Sequence, residues 1–432
     1  MAEKPSKLSI YKVPNKLLKL KEDAYTPSIV SIGPFHHKNK AMQAFEEHKR
    51  RYMLLLFMRI SQAEKCRSTL EECAAAILEL EEEARRSYSE KIDLDEYELA
   101  EILLVDGCFL LELFLRYSDI ENHEESRVED PFINNARTMA TLQHDLALLE
   151  NQIPFSVLET LLSIIKDNVP QPLRSSFIEH NVATLALLFF KSALDLSDKA
   201  IQSKSSELSG THLLDILHKF YLPKCETSDI LELRISDKIP QSRDLQRSGL
   251  RVCATKLLKA GIRFAANTAD ANENLLDINF SASVVTMPPL HIQEAITETI
   301  FRNLIAFEQC GGTGTHHIAS YVFLMRSLLH SSDDVGILRK EGIIKYDFSG
   351  EDVTSLFKSI CNGVVLNDFY FSKLRKEVNC YYDAMSRWRK WLELRHDYLS
   401  KPWTFISVNT GLIVLILTAM QTYYTGFTYY HH

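Results

Sequence analysis

The sequence predicts a mainly α fold: a multi-helix globular body with a few short β-strands, followed by a long juxtamembrane helix and one C-terminal transmembrane helix. Three observations predict it. Apolar residues recur at helical spacing, or cover helical stretches all round, through most of the chain, while β-type alternation is confined to short runs. The stretch from Pro402 to Tyr430, PWTFISVNTGLIVLILTAMQTYYTGFTYY, contains no Asp, Glu, Lys or Arg. The chain as a whole has the balance of an ordinary globular protein: 25% charged, 46% hydrophobic, and 57 acidic against 49 basic residues for a net charge of −8.

From the N-terminus, MAEKPSKLSIYKVPNKLLKL has no apolar core of signal-peptide length, Met1-Ala2 lacks the glycine needed for myristoylation, and the C-terminus has no prenylation cysteine. Ile29 to Ile32 reads as a strand stopped by Gly33-Pro34. LAEILLVDGCFLLELFLRY at 99 to 117 and TLALLFF at 184 to 190 are apolar on every side, as central helices are. Asp145 to Gln152 ends one helix and Pro154 opens the next. Gly261 to Phe264 and LLDINF at 275 to 280 are the other strand signals, and a small meander is expected. After Pro288-Pro289, the positions Ile292, Ala295, Ile296, Thr299, Ile300, Leu304 and Phe307 define one buried helical face, with Glu294, Glu298 and Arg302 off it and Gly311-Gly312 as the stop. The polar stretches 119–131, 197–210 and 223–249 read as surface loops within one body, residues 1–370.

From Phe371 the pattern changes. Leu374, Val378, Tyr381, Met385, Trp388, Leu392 and Leu399 fall on an alternating four-three spacing over 371–401. Packing of this stripe on the body is expected; pairing with a partner helix or a second copy of the chain is the alternative. Residues 402–432 form the expected anchor, because a helix at roughly 1.5 Å per residue from Trp403 to about Tyr424 matches a hydrocarbon core of about 30 Å. Its apolar and interfacial side chains are Trp403, Phe405, Ile406, Val408, Leu412, Ile413, Val414, Leu415, Ile416, Leu417, Met420, Tyr423 and Tyr424. Ser407, Asn409, Thr410 and Gly411 dilute the run, and a buried core helix is the alternative. Arg387, Trp388, Arg389, Lys390, Trp391, Arg395 and Lys401 precede it, which orients the body to the cytosol as a tail-anchored, single-pass protein of the plasma membrane or endomembranes.

Chemical motifs are sparse. Eight scattered cysteines without a C-x-x-C pair argue against a disulfide framework or zinc module, and the acidic balance argues against nucleic acid. His36-His37 with Glu46, Glu47 and His48 has metal-ligand types at the wrong spacing, and His123-Glu124-Glu125 lacks the second histidine of H-E-x-x-H. His316-His317 and the loop Gly311-Gly312-Thr313-Gly314-Thr315 read as structural, since no strand precedes the loop and no lysine follows it. Asn279-Phe280-Ser281 matches the glycosylation pattern by chance on a cytosolic body. No cofactor is expected. Asp106 inside an apolar run, and Asp145 and Glu150 flanking Leu146, Leu148 and Leu149, are expected to enter the interior, either satisfying backbone donors or serving as the acid and base of a hydrolase or transferase.

These residues also resemble the plant-specific domain-of-unknown-function family 247. The resemblance rests on YKVP at 11 to 14, AYTPSIVSIGPFHH at 24 to 37, KRRY at 49 to 52, VDGCFLLELF at 105 to 114 and DLALLENQIPFSVLETL at 145 to 161. It continues through LLDINFS, TETIFRNLIAFEQC at 297 to 310, SYVFLMRSLL at 320 to 329, RWRKW at 387 to 391 and PWTFIS. It implies a plant protein with a helical body and a C-terminal membrane anchor and, for some members, pollen self/non-self recognition or control of floral sex. It brings no catalytic residues. Lys38 stands where the family usually has a glycine after the two histidines, and GGTGT follows Cys310. The expected function is non-enzymatic: a bilayer-held protein acting on a protein partner in reproductive development, with the tethered enzyme and the homo-oligomeric scaffold as alternatives.

Overall fold

The computed structural model describes residues 8–60, 63–122, 130, 132–170, 180–223, 249–267, 274–311, 316–346, 348–366, 368–400 and 402–430. After a single turn at α1 (Asn15–Leu18), the first helical layer is α2 (Gln43–Met58), α3 (Ala63–Arg86), α4 (Glu96–Asn122), α5 (Ala136–Leu146), α6 (Phe155–Asn168) and α7 (Val182–Leu194). Helix α4 is its centre, packed against α2, α3, α6 and α7. Leu99, Leu103, Phe109, Leu111, Leu113 and Phe114 are fully buried on it, as its all-round apolarity requires. Its one deep acid in the second half, Glu112, accepts from Arg59 Nε at 2.8 Å and Arg116 Nε at 2.6 Å, so the buried charge is paired.

The second layer holds α8 (Asp198–Ser205), α9 (Leu213–Tyr221), α10 (Ala254–Lys259), α11 (Glu294–Cys310), α12 (His317–Leu328), α13 (Ser332–Lys340) and α14 (Gly350–Ile360). Polar caps start these helices where the sequence offers them. Ser197 caps α8, Ser349 caps α14, and Ser331 forms a capping box with Asp334 at α13. The carboxylate of Asp334 also takes the amide and hydroxyl of Thr255 at 2.7 and 2.6 Å; burial opposes its ionisation, but these donors hold it down at about 2. The polar stretch 197–210 is thus partly helix, and 119–131 is helix as far as Asn122.

Among the described residues there are five short strands: β1 (Arg263–Ala266), β2 (Asn279–Ser281), β3 (Val284–Met287), β4 (Leu290–Ile292) and β5 (Ile344–Tyr346). The expected meander is not formed. β3 lies between β1 and β2, parallel to β1 and antiparallel to β2, and β4 pairs parallel with β5. Ala282 and Ser283 turn the β2–β3 hairpin with φ of 49° and 61°, the handedness a two-residue turn needs. Ile29 to Ile32 is not a strand at all, because side chains take its backbone donors.

Helix α11 departs from expectation on its polar side. Glu298 and Arg302 are buried, since the N-terminal segment and α14 cover that face. Lys21 Nζ lies 2.5 Å from Glu298 Oε2, Arg302 Nε 2.8 Å from Oε1, and Ser359 Oγ 3.1 Å from the same oxygen. The side chain of Glu294 lies outside the described residues.

Among its described side chains, helix α15 (Ser372–Ser400) packs the first half of its stripe on the body. Leu374 and Val378 are buried, and Tyr381 meets Phe280 of β2 edge-on at 5.7 Å; Trp388 and Trp391 are 56% and 49% exposed. Helix α16 (Pro402–Tyr430) follows. The expected span is not supplied by the structure: among the described residues no helix is long and apolar enough to cross a membrane. Side chains 402–405, 408 and 427–430 of α16 lie outside the described set, and Ser407, Asn409, Thr410 and Gly411 thin what is left.

Arg302→Ala should cost about 2 kcal/mol in thermal unfolding, because it removes one of the two cations, Arg302 and Lys21, that hold the buried Glu298 carboxylate. The double change Glu298→Leu with Arg302→Met should cost less than the sum of the single ones; additive losses would mean the pair is not coupled.

Candidate functional site

Residues 8–36 cross the body with little regular structure: Pro14, Pro27 and Pro34 supply no N–H, and the only α-helix is the four-residue α1. Buried amides in such a strap need acceptors from elsewhere. The loop between α5 and α6, its neighbours and α4 provide them. Asp145 accepts from the amides of Ser28, Ile29 and Val30 at 2.9, 2.7 and 2.9 Å. Asn151 Oδ1 takes Ile32 N at 2.7 Å, Asp106 Oδ2 takes Gly33 N at 2.7 Å, and Glu150 Oε1 takes Val13 N at 2.8 Å. Carbonyls are met too. Asn303 Nδ2 donates to Ala24 O at 2.8 Å, and Lys49 Nζ to Ser31 O at 2.9 Å.

Gly33 shows why this path tolerates only one residue. Its φ of +76° is left-handed, and a Cβ there would stand 2.5 Å from the carbonyl oxygen of Gln152.

The electrostatic centre is Lys49 with Asp106, both 1% exposed, their charged atoms 2.5 Å apart; Glu46 joins at 2.6 Å. Burial alone would push the Lys49 ammonium down, but Asp106 and Glu46 more than offset it and leave it above the usual lysine range. Glu150 faces Lys12 at 3.2 Å and His36 Nε2 at 3.5 Å, where His36 makes no hydrogen bond. Burial lowers the His36 imidazole, and Glu150 pulls it the other way.

A second cluster surrounds Glu308 of α11. Its carboxylate accepts from His218 Nε2 at 2.9 Å and from the first amides of α12, Ile318 and Ala319, at 2.8 and 3.0 Å. His316 and His317 lie beside it with unpartnered Nδ1 atoms. His212, buried at the start of α9, holds the carbonyl of Ser9 through Nε2 at 3.0 Å and accepts Asp215 N at Nδ1. Burial holds this ring neutral, with its pKa down at about 4, against the pull of Asp215.

The three expected interior acids are therefore buried, each committed to a different piece of the strap. Glu46 is spent on Lys49, and His48 packs edge-on against Phe132 at 4.9 Å. Among the described residues no three His, Cys, Asp or Glu side chains could hold a metal ion. The described cysteines are free; Cys225, His123-Glu124-Glu125 and residues 312–315 lie outside the described residues. Sequence reasoning missed Lys49, Asn151 and Asn303. A carboxylate inside an apolar helix demands a counter-charge, and the lysine of KRRY was available to answer it. Also unforeseen is a groove of about 780 Å³ lined by Lys204, Leu222, Asp277, Tyr370, Lys373 and Glu377 among others; Asp106, Asp145 and Glu150 do not line it.

The expected membrane residues are displayed rather than packed. Ile406, Leu412, Ile413, Val414, Leu415, Ile416, Leu417, Met420, Tyr423 and Tyr424 are each between 54% and 70% exposed. The hydroxyls of Thr410, Thr418, Thr422 and Thr425 each donate to the carbonyl four residues back at 2.7 Å, so these polar groups are satisfied within the helix. Arg387 and Arg389 are exposed, and the Trp388 and Trp391 rings stack at 5.4 Å. The side chains of Lys390, Arg395, Trp403, Phe405 and Val408, and residue Lys401, lie outside the described residues.

The profile of the family DUF247, "plant protein of unknown function", matches residues 10–417. The chain belongs to this family. DUF247 thus covers the strap, both helical layers and most of α16. The chain is similar to the UPF0481 protein At3g47200 of Arabidopsis thaliana, 31% identical over 96% of this chain and 85% of the relative. It is also similar to the putative UPF0481 protein At3g02645 of the same plant, 23% identical over 96% of this chain and 90% of the relative. No solved structure matches the chain.

In this DUF247 chain, Asp145→Asn places an amide donor against amide donors. It should destabilise by about 3 kcal/mol and release hydrogen-exchange protection at Ser28, Ile29 and Val30 while α4 stays protected. Retained protection at 28–30 would mean the carboxylate does not hold the strap. A second outcome concerns pH. The folded pKa of His212, about 4, lies below its ordinary 6.5, so between those values the unfolded chain binds more protons and stability falls as pH drops. From pH 7 to pH 5 this ring should remove about 2 kcal/mol. His212→Asn, which can cap α9 without titrating, should lose that increment in equilibrium unfolding, and an identical pH slope would count against it.

Proposed function

We propose that this DUF247 protein is attached to a membrane by α16 and acts without chemistry of its own, by presenting its helical body to a protein partner. The observation that carries the reading is the continuous exposed apolar surface of α16, far beyond the scattered apolar side chains of a soluble surface. Its self-satisfied threonines support the same reading, since a bilayer offers hydroxyls no water. The basic residues before Pro402 favour a cytosolic body on the plasma membrane or endomembranes. The commitment of Asp106, Asp145 and Glu150 to backbone amides favours interaction over an acid–base pair. A setting in reproductive recognition or floral sex control follows from the family resemblance alone.

The test compares full-length protein with a version ending at Lys401, both expressed in flower tissue. Full-length protein should float with membranes on a density gradient and resist alkaline extraction, and the shortened version should stay at the bottom. Mass spectrometry of gently solubilised full-length protein should return a near-stoichiometric protein partner that the shortened version loses. Equal flotation of both versions would overturn attachment through α16, and the absence of any partner would overturn the interaction reading.

A further inference from the structure

The exposed end of α15 differs in chemistry from the rest of the chain. Between Arg387 and Lys401 the sequence RWRKWLELRHDYLSK carries Arg387, Arg389, Lys390, Arg395 and Lys401 against Glu393 and Asp397, a net charge of +3 on a chain of −8. Arg387 and Arg389 are exposed on either side of the Trp388–Trp391 stack, whose planes meet at 26° and whose rings are each about half open to solvent. Burial of the stripe fades along the helix, from Val378 through the half-buried Tyr381 and Met385 to Trp388, which is 56% exposed, so the body leaves this end of the face open. Two stacked indoles between guanidinium groups suit a surface that is apolar just below and anionic above.

We propose that the Arg387–Trp391 face of α15 is a binding surface for anionic phospholipid headgroups, and that binding lays the end of α15 along the membrane. The inference rests on the attachment through α16 proposed above and adds a lipid class and a geometry to it. Distance separates the two possible geometries. Trp391 is eleven residues before Pro402, about 16 Å along a helix. The headgroup layer is only about 5–8 Å deep on each side. A helix standing upright on the membrane would therefore hold the indoles clear of the headgroups, with Arg387 and Arg389 beyond a Debye length of about 8 Å. A helix lying along the surface brings both indoles to the interface and both guanidinium groups within reach of phosphate, which a guanidinium binds with paired hydrogen bonds.

The chain has three tryptophans, so Trp403→Phe leaves Trp388 and Trp391 as the only indole fluorophores. Full-length Trp403→Phe protein is reconstituted into vesicles of phosphatidylcholine alone or with increasing phosphatidylserine, with lipids brominated near the top of the acyl chain as quenchers. Quenching of the pair should rise with phosphatidylserine. Arg387→Gln with Arg389→Gln should lower the ratio of surface-bound to upright α15 at a given phosphatidylserine content by roughly fivefold per arginine, about 25-fold together, and so weaken the rise in quenching without changing the helical circular dichroism. Quenching that ignores phosphatidylserine, or ignores the arginine changes, while the protein still floats with the vesicles, overturns this inference and leaves the attachment standing. Absent quenching in every lipid, with cross-linked dimers in its place, overturns it in favour of a second copy covering the pair. Failure of the full-length protein to float with either vesicle removes the attachment reading and the inference together.

Discussion

Buried carboxylates that accept backbone amides from the N-terminal strap are the constraint on which the body depends. The strap is bonded to helices of both layers, through Asp106 and Asp145 on one side and Asn303 on the other, and Ile10, Val30 and Ile32 are core residues on it. Apart from Ser9 and Ile10, whose amides go to the carbonyl of Ser87, the strap has little backbone beside it to take its N–H groups, and each unmet buried donor would cost about 1–3 kcal/mol. Asp145 meets three of them with one side chain, and Asp106, Glu150 and Asn151 meet others. Because these acceptors sit on α4, at the end of α5 and in the loop before α6, the strap fixes those elements relative to one another. Asn303 extends the tie to α11, accepting Leu149 N at 2.9 Å while donating to Ala24 O.

Charge at the centre of this arrangement serves register more than stability. A buried ion pair such as Lys49–Asp106 gives little net energy over well-packed apolar residues, yet removing either partner leaves an uncompensated charge. The pair also reaches the strap at adjacent residues, Lys49 at Ser31 O and Asp106 at Gly33 N. A slip of one residue in either direction would bring a side chain bearing Cβ into the left-handed position of Gly33, against the carbonyl of Gln152. The observed threading satisfies the charges and the glycine together.

The helical body was legible because its signals are local. All-round apolarity marked α4 and α7, and the residues between Asp145 and Pro154 were readable as the end of one helix and the start of another. The strap was not legible as such: Ser28 to Ile32 has strand-like composition, and only its distant partners decide that its donors go to side chains. The same holds for Glu298 and Arg302, which lie opposite the apolar face of α11 and look solvated until α14 and Lys21 cover them. The entry of Asp106, Asp145 and Glu150 into the interior could be expected from their apolar neighbours, but Lys49 reads as a surface lysine in KRRY. The parallel pairings of β1 with β3 and β4 with β5 join residues far apart in sequence, and no short-range pattern encodes them.

Helix α15 shows how one periodicity can face two environments. Its four-three stripe runs unbroken from Leu374 through Val378 and Tyr381 to Trp388, and spacing alone assigns the whole of it to one surface. Residue type divides it. The aliphatic Leu374 and Val378 are buried against the body, where dry packing suits side chains with no polar handle. Trp388 and its stacked neighbour Trp391 are large, carry an N–H and stand beside arginines, and these remain open. A protein core would have to satisfy both indole N–H groups and neutralise the guanidinium charges, whereas an interface between water and lipid satisfies them as they stand. The change from aliphatic to aromatic-basic along a single stripe therefore marks where packing on the body ends and where the surface proposed to meet the membrane begins.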